Sequence, residues 1–182
     1  KNHICHLFFA CGTPMLLGGD EFLRSQGGNN NAYCQDNEIS WYDWTLAHDH
    51  RDFFDFVKNV IAFTRRYPVF QRRVFFSGRD RNRDDQPDIR WYGQSLDQPA
   101  WGDPELRTLA YQLDGAEADR DAGSYLVFVI LHADWRQQIV RIPGPGAARR
   151  WYRVIDTSLP AGDDFVVDGL ELEPAEGYLA NG

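Results

Sequence analysis

The stretch GTPMLLGGDEFLRSQGGNNNAYCQDNEISWYDW, Gly12–Trp44, decides how the rest of the chain is read. Thr13-Pro14 forces an extended entry, because the residue before a proline is pushed out of the helical region. Met15-Leu16-Leu17 is apolar on both faces, as expected of a strand in a buried parallel sheet. Gly18-Gly19 lets the backbone turn, so the spacing puts Asp20 and Glu21 at the C-terminal end of that strand. Upstream, Ile4, Leu7 and Phe8 fall at helical spacing within KNHICHLFFA, and Cys11-Gly12 is a helix stop. Helix, short link, buried strand and acidic residues at its end make one repeat of an α/β architecture. In a TIM barrel such strand ends carry the chemistry. Asp20 and Glu21 are therefore candidate site residues. The plainer alternative is that they bond loop amides or cap a turn.

The loop from Leu23 to Ser40 is long, and long loops in compact domains are commonly functional or disordered. Asn29, Asn30 and Asn31 offer amides that donate and accept, which suits sugar hydroxyls. Tyr33, Trp41, Tyr42 and Trp44 supply flat apolar faces on which sugar rings can stack. The alternative is that the asparagines form Asx-turns and the aromatics anchor the loop.

Downstream, Phe53, Phe56, Val57, Val60 and Ile61 form one helical stripe. Asp49 and Asp52 lie near its start and Arg65-Arg66 near its end, matching the helix dipole, and Pro68 closes it. After Gln71 the character changes. Strands are expected at Arg72–Phe76, Ile89–Tyr92, Arg107–Leu113, Tyr125–Ala133, Gln138–Ile142, Trp151–Asp156 and Phe165–Val167, punctuated by Gly/Pro/Asp turns such as Gly144-Pro145-Gly146. The run Tyr125–Leu131 is apolar on both faces and reads as a central strand. Several short strands with turn punctuation argue for an antiparallel sandwich. The boundary falls near Gln71, giving residues 1–71 and 72–182 as two parts.

The 182 residues carry 43% hydrophobic and 14% aromatic residues and a net charge of −8, a folded chain suited to neutral polar ligands. An acidic balance argues against a nucleic-acid partner. No apolar run is long enough for a membrane helix, since Ile4–Leu17 is broken by His6, Gly12 and Pro14. Cys5, Cys11 and Cys34 have no Cys-x-x-Cys spacing, so reduced thiols in a cytoplasmic protein are expected, with no metal site and no cofactor. The chain begins at Lys1 with no signal-peptide pattern, which suggests processing or a piece of something longer.

GTPMLLGGDEF followed by NNNAYCQDNEISWYDW resembles the bacterial glycogen debranching enzymes and isoamylases of the α-amylase superfamily. The similarity continues through FDFVKNVIAFTRRYPVF and, in pattern more than residues, through Asp88–Tyr92, Arg107–Tyr111 and the Tyr125–Ala133 strand. The resemblance implies an α+β piece: the last strand, loop and helix of a (β/α)8 TIM barrel, then a C-terminal β-sandwich. It implies hydrolysis of α-1,6 branch linkages in glycogen or limit dextrins, with branched α-glucan as partner and no organic cofactor. Retaining hydrolysis needs two carboxylates about 5 Å apart across the scissile bond. Asp20 and Glu21 are adjacent, so an extended backbone points them apart. The family's catalytic carboxylates come from earlier strands that this chain lacks. No catalytic residue is carried over, and the chain alone is expected to be inactive. Asp20, Glu21, Asn29, Asn30, Asn31, Tyr33 and Asp36 carry over only a supporting, glucan-contacting role. The C-terminal run Leu170–Gly182 is thin in apolar residues, so the family's closing strand is expected to be altered or lost here. Without the rest of a barrel, the first third should refold against the sandwich, self-associate or belong to a larger protein.

Two rival readings remain. Gly18-Gly19-Asp20-Glu21-Phe22 is also the diguanylate cyclase signature, although no acidic residue precedes it. The chain could equally act as a non-catalytic structural or glucan-binding module. Exposed Trp91, Trp101, Trp135 and Trp151 side by side on one sheet face would mark glucan binding, and burial would mark a structural role.

Overall fold

The stripe expected after Asp49 forms the longest helix of the chain. The computed structural model describes residues 1–118, 123–146, 149–172 and 177–181. Helix α1 spans Asn2–Phe9, a short α2 spans Leu46–Asp49, and α3 spans Arg51–Arg66. Phe56, Val57 and Val60 are buried on α3 and pack with Ile4 and Cys5 of α1. Ile155 and Phe165, from far downstream, complete this cluster, with the Phe56 and Phe165 rings edge to face at 6.4 Å. Burial raises the Cys5 thiol to a pKa of about 11, so it behaves as a small apolar group.

Seven strands follow among the described residues. They are β1 (Ile89–Tyr92), β2 (Thr108–Asp114), β3 (Leu126–His132), β4 (Gln138–Val140), β5 (Trp151–Ile155), β6 (Phe165–Leu172) and β7 (Tyr178–Ala180). All pairings are antiparallel, in three small sheets ordered β1-β2-β3, β4-β7 and β5-β6. The chain is thus mostly β with few helices.

In the first sheet, register sorts the side chains into two apolar faces. Trp91, Tyr111 and Val129 align across the three strands, as Ile89, Leu113 and Val127 do. This face packs on Val69 and Phe70, just past α3, and on Phe63 within it. The opposite face, with Tyr92, Ala110, Phe128 and Ile130, packs on Val140 and Ala180 of the β4-β7 pair. The apolar run of β3 is therefore covered on both sides, as its sequence requires. The central strand, however, is β2, and β3 is an edge of its sheet. A two-sided apolar run reports coverage of both faces, and coverage does not fix the order of strands within a sheet.

Two expected strands do not form. Met15–Leu17 is extended but unpaired, and Met15 is 85% exposed. A lone segment cannot complete a strand ladder, and among the described residues Met15–Leu17 joins none of the sheets. Residues 72–76 are irregular because their ends are tied to a carboxylate rather than to a strand. Asp88 accepts from the Ser77 amide at 2.9 Å, the Ser77 hydroxyl at 3.1 Å, the Gly78 amide at 2.7 Å and Arg72 Nη2 at 3.0 Å. Conversely, β7 forms in the thinly apolar C-terminal run and pairs with β4, while residues 173–176 and 182 of that run lie outside the described residues.

Candidate functional site

Phe22 anchors the candidate loop. It sits in a short 3₁₀ turn over Asp20–Phe22, is buried, and contacts the Trp44 ring at 5.6 Å and the Tyr42 ring at 6.3 Å. The first apolar residue after Gly19-Asp20-Glu21 thereby fixes the start of the loop to its end. Gly19 is buried at φ +98, a conformation that side chains disfavour. A Cβ there would fall 2.6 Å from Arg24 Cδ. Arg24 fills that space, lies over the Tyr42 ring at 5.0 Å, and donates through Nη2 to the carbonyls of Ser40 at 2.9 Å and Ile39 at 3.3 Å.

The sequence candidates divide into two groups. Glu21 is half-buried and its Oε2 accepts the Gly19 amide at 2.8 Å, so it closes the turn. Asp20 is exposed in the same turn. The two carboxylates are consecutive residues of the turn, with Glu21 facing a shallow hollow that Phe54, Val57, Lys58 and Ile61 of α3 also line.

Further along, Asn29 Oδ1 accepts the Asn31 amide at 2.9 Å, and Asn31 Oδ1 accepts the Tyr33 amide at 3.1 Å. Both asparagines thus form Asx-turns through that oxygen. Asn30 is exposed between them. Ser40 Oγ donates to the Ala32 carbonyl at 3.2 Å, drawing the middle of the loop back to its end. Asp36 Oδ1 accepts from Trp41 Nε1 at 2.9 Å. Tyr33 next to Ala32 is 83% exposed, and Trp41 and Trp44 are exposed as well. Asp43 accepts the Thr45 hydroxyl at 2.6 Å and its amide at 2.9 Å, and these two bonds hold its carboxyl below the usual range. What the loop presents to solvent is a set of aromatic faces held on a hydrogen-bonded frame.

Arg24 was not among the sequence candidates. Its signal lay in the spacing: a lone cation inside a loop rich in amides and aromatics, five residues after a buried glycine. Within the Gly18–Phe22 string, Asp20–Phe22 forms a 3₁₀ turn. Among the described residues, no group of three or more His, Cys, Asp or Glu is placed to hold a metal ion, and no helix is long and apolar enough to cross a membrane. The three cysteines are free thiols.

The tryptophans of the strand-rich part do not line up. Trp151 is buried and donates Nε1 to the Pro143 carbonyl at 2.7 Å. Trp91 is half-buried against Tyr111, with Trp101 edge-on at 5.6 Å, while Trp135 stands 86% exposed beside Arg136.

The architecture is shared with a carbohydrate enzyme. A pullulanase from Bacillus acidopullulyticus superposes on 98% of the chain with a TM-score of 0.60 at 18% identity, the chain matching 18% of that protein. At the sequence level, residues 88–177 match the family described as "Isoamylase, C-terminal". A glycogen operon protein GlgX homolog of Mycobacterium tuberculosis is 34% identical over 90% of the chain and 24% of its own length. An isoamylase of a Flavobacterium species is 32% identical over 87% of the chain and 20% of its own length. A glycogen debranching enzyme of Dickeya chrysanthemi is 44% identical over 52% of the chain and 14% of its own length. The chain is homologous to isoamylases and glycogen debranching enzymes, and its residues 88–177 belong to the isoamylase C-terminal family. It spans about a quarter or less of the length of these relatives.

Proposed function

We propose that this chain is the C-terminal part of a cytoplasmic debranching enzyme that hydrolyses α-1,6-glucosidic linkages in glycogen or limit dextrins. Residues 1–71 are read as the end of a (β/α)8 barrel, in which Met15–Leu17 gains strand neighbours from the preceding chain. Residues 72–182 are read as a β-sandwich that packs on it. The catalytic carboxylates lie outside this chain. Asp20, Glu21, Asn29, Asn30, Asn31, Tyr33 and Asp36 shape or contact the glucan, with Glu21 and the asparagines holding the frame and Tyr33 presenting the ring.

The observation that carries this reading is the framed loop. The segment with the most specific resemblance presents aromatic faces to solvent instead of burying them. Trp151 is buried and Trp91 half-buried while Trp101 and Trp135 are exposed, so the four do not form one exposed stacking face, which supports a structural role for the strand-rich part. The exposure of Met15 and Leu17 supports a reading in which the rest of the barrel, or in its absence a second copy, covers them.

The test is reducing-end release from a branched limit dextrin. The chain alone should release none, and the protein including its upstream coding sequence should be active. Tyr33→Ala in that longer protein should raise KM about tenfold with a smaller change in kcat, the size expected when one stacking contact of roughly 1–1.5 kcal/mol is lost. Release by the chain alone, or an unchanged KM in the variant, would overturn the respective assignments.

A further inference from the structure

We propose that Arg24 is a positioning residue for glucan. It acts as a latch that closes the neck of the 25–39 loop and so sets where Tyr33 stands. The inference rests on the glucan-contacting role proposed above and adds the residue that governs it.

Three contacts define the latch. Arg24 Nη2 reaches two successive carbonyls, Ile39 and Ser40, at the far side of the neck. Its guanidinium lies over Tyr42, which in turn stands 5.6 Å from the Trp44 ring. Its aliphatic stem occupies the volume that a side chain at position 19 would need. Arg24 Nε is buried without a hydrogen-bond partner, so the guanidinium is held by its surroundings at the expense of one donor. The planar guanidinium donates to both carbonyls through one nitrogen while its face stacks on the ring, a geometry that a tetrahedral ammonium reproduces less well.

The latch is coupled to the ring through the frame. Ser40, whose carbonyl Arg24 holds, donates its hydroxyl to the Ala32 carbonyl, and Tyr33 is the next residue. On the other side, the Tyr33 amide is held by Asn31 and the Asn31 amide by Asn29. The Gln35 amide also bonds the Ala32 carbonyl, at 3.1 Å, so freeing Ser40 releases one of the ties around Tyr33. Holding the ring in place before binding avoids the entropy of ordering it on contact.

The experiment is a double-mutant cycle in the longer protein described above, with maltoheptaose, an unbranched α-glucan without α-1,6 linkages to cut, as the calorimetric probe. Arg24→Ala should weaken binding about tenfold, and Arg24→Lys should fall between it and wild type. Tyr33→Ala should cost about tenfold in the wild-type background and little in the Arg24→Ala background, because the ring is already unplaced. Chymotryptic cleavage after Tyr33 should quicken about tenfold in Arg24→Ala, while the midpoint of global unfolding stays within a few degrees. Equal binding by wild type and both Arg24 variants, or additive costs in the cycle, would overturn the latch and leave the glucan role standing. No binding by wild type would overturn both. If Arg24→Ala does not fold, Arg24→Lys carries the same comparison.

Discussion

Replacing Asp88 by alanine should cost about 3–5 kcal/mol, because the variant strands a buried cation. The Asp88 side chain is fully buried, and that of Arg72 is 4% exposed, with its guanidinium 4.5 Å from the Phe76 ring centroid. Without the carboxylate, Arg72 keeps its charge, and its Nη1 is already buried without a partner. The Ser77 and Gly78 amides lose their acceptor at the same time. For a chain of this size, each kcal/mol moves the midpoint by about 2–4 °C, so the drop should be roughly 6–20 °C. Urea unfolding at pH 7, followed by far-UV circular dichroism, measures it. Arg72→Met combined with Asp88→Leu should recover the part of the loss that comes from the stranded charge, while the Ser77 and Gly78 amides still lack their acceptor. The pH dependence has a definite sign. Burial pushes the Asp88 carboxyl up, but the bonds from Ser77 and Gly78 and the Arg72 charge outweigh it and leave it lowered. Its contribution is thus complete above the unfolded value of about 3.9 and is lost as pH falls through the lower folded value. A single-variant cost below about 1 kcal/mol, or a double variant as unstable as the single, would refute the reasoning.

The packing of α3 and the clasp at Tyr178 give two further tests. Val60→Ala, at a fully buried site, should cost about 2 kcal/mol and shift one unfolding transition; an early separate transition for the helices would show that they do not fold with the strands. Tyr178→Phe removes the hydroxyl that donates to Asp156 and should cost about 1–2 kcal/mol at pH 7. Burial raises the Asp156 carboxyl, but the bonds from Ser158 and Tyr178 outweigh it and lower it on balance, so the difference from wild type should vanish as pH falls through that lowered value. A cost that persists in strong acid would assign the clasp to packing instead.

Local patterns in the sequence located the elements whose geometry they set directly. The Phe53–Ile61 stripe forms the buried face of α3, and the strands from Ile89 to Phe165 appear where alternation and turns place them. Met15–Leu17 looked like a strand because it is apolar, yet a strand also needs a neighbour, and pairing is a property of the surroundings. Residues 72–76 were misread for a related reason. Asp88, ten or more positions away, takes the Ser77 and Gly78 amides just past them and the Arg72 guanidinium at their start, and no local window contains it. β7 was missed because three residues beside Gly177 carry little periodic signal. At the candidate site, aromatic and amide content was readable, and so was the risk that the asparagines were turn-formers, as their Oδ1 bonds show. Arg24 stood out only as a lone cation in the loop, and its role was hidden because the carbonyls of Ile39 and Ser40 that it binds leave no chemical mark at their positions.

The contact between α3 and Phe165 also bears on synthesis. Phe56 emerges from the ribosome about a hundred residues ahead of the ring that covers it. At roughly 5–20 residues per second, that side of the helix waits about 5–20 s for its cover. α1 precedes α3 in the chain and can shield Val57 and Val60 during that interval. α1 thereby acts as a temporary guard against aggregation, and its removal should lower the yield of nascent chain more than the stability of the finished fold.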